Sequence, residues 1–190
     1  GANNSVARID NIAVQILPPE ITFEETEDFD DGIADRFTAA QAGSWIVDNG
    51  KFAANAFSTD VSAWSQFDLD VGASYLLRLS AEVNTAAVAG LVFDKYAEND
   101  FKFAALSKST NEILIGHYTV KSGWQVDAAI NYVFDTGADD KIEVALKGST
   151  VSVVVNDQAM LGYAFNALVV DGDYGLFSDN SASFDEVTLR

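Results

Sequence analysis

The chain is 190 residues long, 48% hydrophobic and 12% aromatic, enough for one well-filled core and too little for two ordinary domains with a linker. Acidic residues number 29 against 11 basic, a net charge of −18, which excludes nucleic acid or an anionic membrane as partner because both demand a basic face. There is no cysteine, so disulfide scaffolds, thiolate metal sites, iron–sulfur clusters and cysteine nucleophiles are excluded together.

The chain begins at Gly1 without Met or a basic-then-apolar signal segment, and so reads as a piece of a longer polypeptide. The run Arg8-Ile9-Asp10-Asn11-Ile12-Ala13-Val14 echoes Ser183-Phe184-Asp185-Glu186-Val187-Thr188-Leu189. Residues 1–17 are then either the closing strand of a preceding, similar module in a tandem array or an extra edge strand of the same sandwich. Pro18-Pro19 interrupts pairing and marks a joint, leaving 18–190 as one domain. An acidic stretch follows, Glu24-Glu25-Thr26-Glu27-Asp28-Phe29-Asp30-Asp31, with six carboxylates and no base.

Strand-like runs come next, β-branched or aromatic and bounded by Gly, Asn, Asp or Ser. They are Ser44–Val47, Tyr75–Val83, Leu91–Tyr96, Phe101–Ser107, Glu112–Tyr118, Tyr174–Ser178 and Ser183–Leu189. Ala53–Ala63 is the nearest approach to a helix, weakened by its Ser and Thr. The clearest hairpin places Ile142, Val144 and Leu146 opposite Val151, Val153 and Val155 across Gly148-Ser149, a type II′ turn, closed by Asn156-Asp157. The longest apolar stretch, Ala86 to Phe93, is too short for membrane insertion. Many short strands at near-regular spacing predict an all-β, antiparallel β-sandwich.

Several patterns in order carry a resemblance. Asp28-Phe29-Asp30-Asp31-Gly32 leads to Gly43-Ser44-Trp45-Ile46-Val47-Asp48-Asn49-Gly50-Lys51-Phe52. Ala89-Gly90-Leu91-Val92-Phe93 and Asn99-Asp100-Phe101-Lys102-Phe103-Ala104 follow. Asp171-Gly172-Asp173-Tyr174-Gly175-Leu176-Phe177 and Phe184-Asp185-Glu186-Val187 end the series. From Phe23 to Leu189 the chain resembles the LamG-like (concanavalin A-like lectin/glucanase) jelly-roll modules of large bacterial surface and secreted proteins. The resemblance implies a jelly roll, an extracellular or cell-surface setting, neighbouring modules in the same polypeptide, and sugar-binding, catalytic or spacer roles.

Hard cations need several oxygen ligands close together, so the acidic stretch reads as a calcium site or as a solvated loop. Strand parity puts Asp185 on the inward side with Val187 and Leu189, where a carboxylate needs a cation or donors. In related modules an acidic N-terminal strand and a C-terminal Asp meet at one Ca2+, and the resemblance carries Glu27, Asp28, Asp30, Asp31 and Asp185 over as its ligands. Asp135-Thr136-Gly137-Ala138-Asp139-Asp140 reads better as a polar turn.

Catalysis is not expected. His117 is the only histidine and reads as structural or surface, Glu82 and Asp94 lie on strands without an identifiable partner, and the Glu-x-Asp-x-x-Glu strand of the superfamily's glucanases is missing. For sugar binding, Tyr96 with Asn99 and Asp100 forms one candidate loop. Trp124 is either an exposed stacking ring or, as in similar modules, packed under its loop. Trp45 and Trp64 read as core, and Arg78 with Glu82 as a solvated face. The expectation is a monomeric, non-catalytic, calcium-stabilised lectin-like module contributing to adhesion by binding a glycan or other surface ligand. A structural spacer and a peptide- or protein-binding module are the alternatives.

Overall fold

The computed structural model describes residues 21–38, 41–55, 63–67 and 76–190. The echo in residues 1–17, the Pro18-Pro19 joint, and parts of the segments at Ala53–Ala63 and Tyr75–Val83 lie outside these. Among the described residues there are fifteen strands and no helix. They are β1 (Glu25–Glu27), β2 (Gln41–Ala42), β3 (Ser44–Asp48), β4 (Lys51–Asn55), β5 (Ala63–Phe67), β6 (Leu77–Thr85), β7 (Val88–Ala97) and β8 (Asp100–Ser107). Then follow β9 (Glu112–Thr119), β10 (Gly123–Asn131), β11 (Asp140–Lys147), β12 (Thr150–Val155), β13 (Gln158–Ala164), β14 (Asp173–Ser178) and β15 (Ala182–Leu189).

All pairings are antiparallel and form two sheets. One runs β13-β12-β11-β6-β15-β4-β3, with β1 also on β15; the other runs β10-β9-β8-β7-β14-β5-β2. The expected antiparallel β-sandwich is therefore the fold. Alternation builds it. Along β6, Leu77, Leu79, Ala81 and Val83 are fully buried while the residues between them are only partly covered. Ile142, Val144 and Leu146 of β11 and Val151, Val153 and Val155 of β12 join them inside. Each large apolar side chain so buried is worth about 1.5–3 kcal/mol.

Turn chemistry sets register. Lys147 pairs Thr150 around Gly148-Ser149, and Gly148 has φ +59°, as a type II′ turn requires. Asn49-Gly50 and Asn156-Asp157 both have positive φ at both positions, making type I′ turns that join β3 to β4 and β12 to β13. Lys51–Asn55 is thus a strand, and the start of the expected helical segment is corrected: Phe52 and Ala54 alternate into the core opposite Val47 and Trp45.

Alternation also fails at defined places. In β15 the register passes from Asp185↔Glu82 to Thr188↔Ser80, three steps against two, and Glu186 has φ +49°. Phe184 and Val187 are both fully buried across this bulge, so Asp185 lies beside Glu82 on the outer side of the sheet. The inward Asp185 expected from parity is corrected for that reason.

The seven-stranded sheet carries apolar side chains on both faces. Leu91, Phe93, Ala104, Leu106, Ile113 and Ile115 enter the main core. Val92, Phe101, Phe103, Leu114, Phe177 and Trp64 form a second layer on the outer face. Gly90 lies in this sheet where an added Cβ would stand 2.1 Å from the Ala104 carbonyl oxygen and 2.7 Å from the Ala105 Cα. Backbone cannot yield as a side chain can, so Gly90→Ala is expected to cost about 2–3 kcal/mol in urea unfolding, and an unchanged midpoint would contradict this packing.

Candidate functional site

Phe93, Lys102, His117 and Gln125 form one ladder row across β7, β8, β9 and β10. Just at this row three strands lose regular register. On β7 the pairing jumps from Phe93↔Lys102 to Ala97↔Asp100, four steps against two. On β14 it shifts between Asp173 and Gly175, and on β10 between Val126 and Ala128, leaving Asp127 as the extra residue. Bulges re-aim side chains, and here they re-aim carboxylates.

Asp94 is the first of these. Its φ is +52°, and it is 1% exposed. Regular alternation would put it on the outer face with Val92. Instead Lys95 takes that side, its Nζ 3.9 Å from the centre of the Trp64 ring, and the Asp94 carboxylate meets the Lys102 amine. Tyr96 brings its hydroxyl to 2.9 Å from Asp94 Oδ1 and 2.8 Å from Asp171 Oδ1. One hydroxyl proton cannot serve both carboxylates fully. Burial raises the Asp94 pKa against the opposing pull of Lys102 and Tyr96, while the Tyr96 hydrogen bond lowers that of Asp171. Tyr96 is pushed upward, by loss of solvent first and then by its two carboxylate partners. The Lys95 amine is lowered by burial, with Asp173 and Glu98 acting the other way.

Beside this knot lies an open cleft of about 260 Å³. Asp100, Lys102, His117 and Thr119 line one side from the inward-parity positions of β8 and β9, with Asp127 from the β10 bulge. Tyr163, Phe165 and Asn166 close it from the end of β13. His117 Nδ1 lies 2.6 Å from Asp127 Oδ2, and Lys102 Nζ lies 5.3 Å from the Phe165 ring centre. The cleft therefore offers two aromatic rings, an amide, a hydroxyl and carboxylates, the mixture that binds polyhydroxylated ligands.

Of the residues expected at a sugar site, Asp100 lines the cleft. Tyr96 stands next to it, sharing Asp94 with the cleft-lining Lys102, and Asn99 occupies the intervening turn. Trp124 is elsewhere. It lies in β10 rather than in a turn, 41% exposed on the outer face, with Phe101, Phe103, Tyr118 and Phe177 all within 5.5 Å of its ring centre. Trp64 is buried, but in this outer layer, and Trp45 packs on Phe52 and Phe184 in the main core. The sequence reading missed the partners of Asp94 and the pairing of His117. The one available signal was a carboxylate directly after the apolar run Leu91-Val92-Phe93, which a buried strand position would have to satisfy.

The acidic stretch is arranged differently from a cation cage. β1 pairs the C-terminal half of β15, so the two acidic segments are neighbours, as the resemblance implies. Yet both oxygens of Glu27 and one each of Asp28, Asp31 and Asp185 accept nearby backbone amides, and Asp30 joins only by donating its N–H to Asp28. Glu27 accepts from the amides of Phe29 (3.4 Å) and Arg36 (3.0 Å), Asp28 from Asp30 (3.2 Å), Asp31 from Ile33 (2.9 Å) and Asp185 from Glu186 (2.8 Å). Among the described residues no three acidic or histidine side chains converge as metal ligands. The donor set, as placed, does not fit calcium, which takes six to eight converging oxygens. Its visible work is structural: Glu27, 8% exposed, pins the loop that sends Phe29 and Phe37 into the core.

No family model and no curated protein sequence matches the chain. Solved structures do. A carbohydrate-binding module, CBM66 from Bacillus subtilis, superposes with TM-score 0.69 at 13% identity, over 80% of this chain and 94% of that one. A lichenase (a β-1,3-1,4-glucanase from a mouse hindgut metagenome) gives 0.58 at 12% identity, over 87% and 97%. The galectin LEC-6 of Caenorhabditis elegans gives 0.52 at 14%, over 73% and 95%. At such identities the likeness establishes the jelly-roll fold.

The Asp94 knot makes a pH-dependent prediction. Lys102→Met strands a buried carboxylate and is expected to cost about 3–5 kcal/mol at pH 7. A native pKa above the ordinary 3.8 means that the folded state binds the proton more tightly than the unfolded chain. The loss should therefore shrink as pH falls from neutral towards 3.8, because Asp94 becomes neutral above that ordinary value and then needs no cation. Denaturant melts of both proteins at neutral and mildly acid pH check this, and an equal loss at both would contradict it.

Proposed function

We propose that this chain is a non-catalytic, lectin-like module that binds glycan in the cleft beside Tyr96. The carrying observation is the Tyr96 ring itself: 57% exposed, yet anchored through its hydroxyl to Asp94 and Asp171, with Asp94 in turn holding Lys102, which lines the polar, aromatic-walled cleft. A ring held in place before binding loses little freedom when a sugar stacks on it. Asp100, Thr119 and Asn166 supply acceptors and donors for hydroxyl groups, and Phe165 and Tyr163 an apolar wall. Every group named here is a side chain of the protein, and no metal ion is placed in the cleft.

The structural neighbours named as a carbohydrate-binding module and a galectin support this reading. The lichenase neighbour points the other way, but the Glu-x-Asp-x-x-Glu strand is missing and the lone imidazole is tied to Asp127. The setting proposed with it is the bacterial cell surface or exterior, in a longer polypeptide whose neighbouring modules share an adhesive task. A spacer module remains the rival reading, and it predicts no ligand.

A glycan-array screen of the folded protein, repeated with chelator, is the test. Binding is expected in both conditions. Tyr96→Ala and Asn166→Ala should each weaken it about tenfold, and Trp124→Ala should leave it unchanged. Absence of any bound glycan would favour the spacer, and loss of binding only in Trp124→Ala would move the site to the outer face of the sheet.

A further inference from the structure

Resting on that glycan reading, we infer that the cleft selects uncharged sugars and rejects acidic ones, with Asp100 as the selecting residue. The argument is a census of charge. Besides the Tyr163 phenol, four acidic or basic side chains line the cleft: Asp100, Lys102, His117 and Asp127. Lys102 is the only permanent cation among them, and it is spent on the buried Asp94 carboxylate. His117 is spent on Asp127 at 2.6 Å. Asp100 is exposed, and its carboxylate has no hydrogen-bond or ion-pair partner among the described residues. Beyond the lining, Glu98, Asp171 and Asp173 add further negative charge within the same bulged region, and Lys95 is turned away onto Trp64.

A uronate, sialate or sulfate entering here meets no free amine or guanidinium, the groups that recognise such anions. It also meets an unpaired carboxylate, at a distance where salt screens little because the separation is below the Debye length of about 8–10 Å. A neutral sugar meets the opposite situation. An ionised carboxylate only accepts, and hydroxyl groups are donors, so Asp100 gains charge-assisted hydrogen bonds from them. The net −18 of the chain raises the barrier to anions further.

The experiment uses matched ligands in titration calorimetry at 0.15 M salt: xylo-oligosaccharides with and without glucuronate substituents, galacto-oligosaccharides against oligogalacturonates, and cello-oligosaccharides against their uronate counterparts. In whichever pair binds, the neutral member is expected to bind at least about tenfold more tightly. Asp100→Asn, checked for an unchanged melting temperature, should weaken the neutral ligand severalfold and narrow the ratio, because the amide neither repels anions nor accepts with full charge. An acidic member that binds as well as its neutral counterpart would overturn the selectivity while leaving the glycan reading intact. An unchanged ratio in Asp100→Asn would overturn the role of that residue. If no member of any pair binds the folded protein, the glycan reading falls and the selectivity with it.

Discussion

A carboxylate buried in the seven-stranded sheet organises this molecule's polar chemistry. Asp94 occupies a strand position that regular alternation would turn to the outer face. The bulge that redirects it also sends Lys95 onto Trp64, draws Lys102 in from β8, and holds the Tyr96 hydroxyl against Asp171. A buried charge is costly unless paired and hydrogen-bonded, so the carboxylate and its two partners, Lys102 and Tyr96, depend on one another. The strain of a left-handed non-glycine residue is of order 1–3 kcal/mol, and it is met by this network. The cleft shares one of these groups, Lys102, which lines it while pairing with the buried carboxylate.

The same logic recurs at lower intensity. Asp127 is the extra residue of the β10 bulge and orients His117. Asp185 precedes Glu186 at the β15 bulge and is turned out of the core. In each case a period-two sheet is interrupted, and a short acidic side chain occupies the interruption. The regular stretches supply stability through alternation, and the irregular ones of β7 and β10 present polar groups in the seven-stranded sheet, while that of β15 does so on the other sheet.

This division explains what could be read from residues alone. The β11–β12 hairpin was legible because Ile142, Val144 and Leu146 alternate without error and Gly148 suits its turn. The antiparallel sandwich followed from many such runs. The β3–β4 hairpin was equally legible in Asn49-Gly50, but the small residues Ala53 and Ala54 imitate a helical composition and obscured it. The bulges were not legible, because positive φ at Asp94 and Glu186 has no glycine to announce it. Parity therefore carried Asp185 to the wrong face. Tyr96 and Asp100 were identifiable as polar groups near a turn, but the carboxylate that positions Tyr96 was not. Trp124 looked like a turn residue because Ser122-Gly123 precedes it, whereas Gly123 begins a strand that lays the indole over Phe103.

Two surfaces offer aromatic rings to a sugar, the cleft at the bulges and the outer face around Trp124, and the proposed ligand belongs in the first. The most direct measurement is a proton–nitrogen NMR titration of the protein with the neutral oligosaccharide that binds most tightly. Shifts are expected to concentrate in the amides of residues 94–102, 117–119 and 163–167, with the Trp124 indole signal unmoved. Shifts confined to the Trp124 indole and its outer-face neighbours would contradict that placement of the ligand.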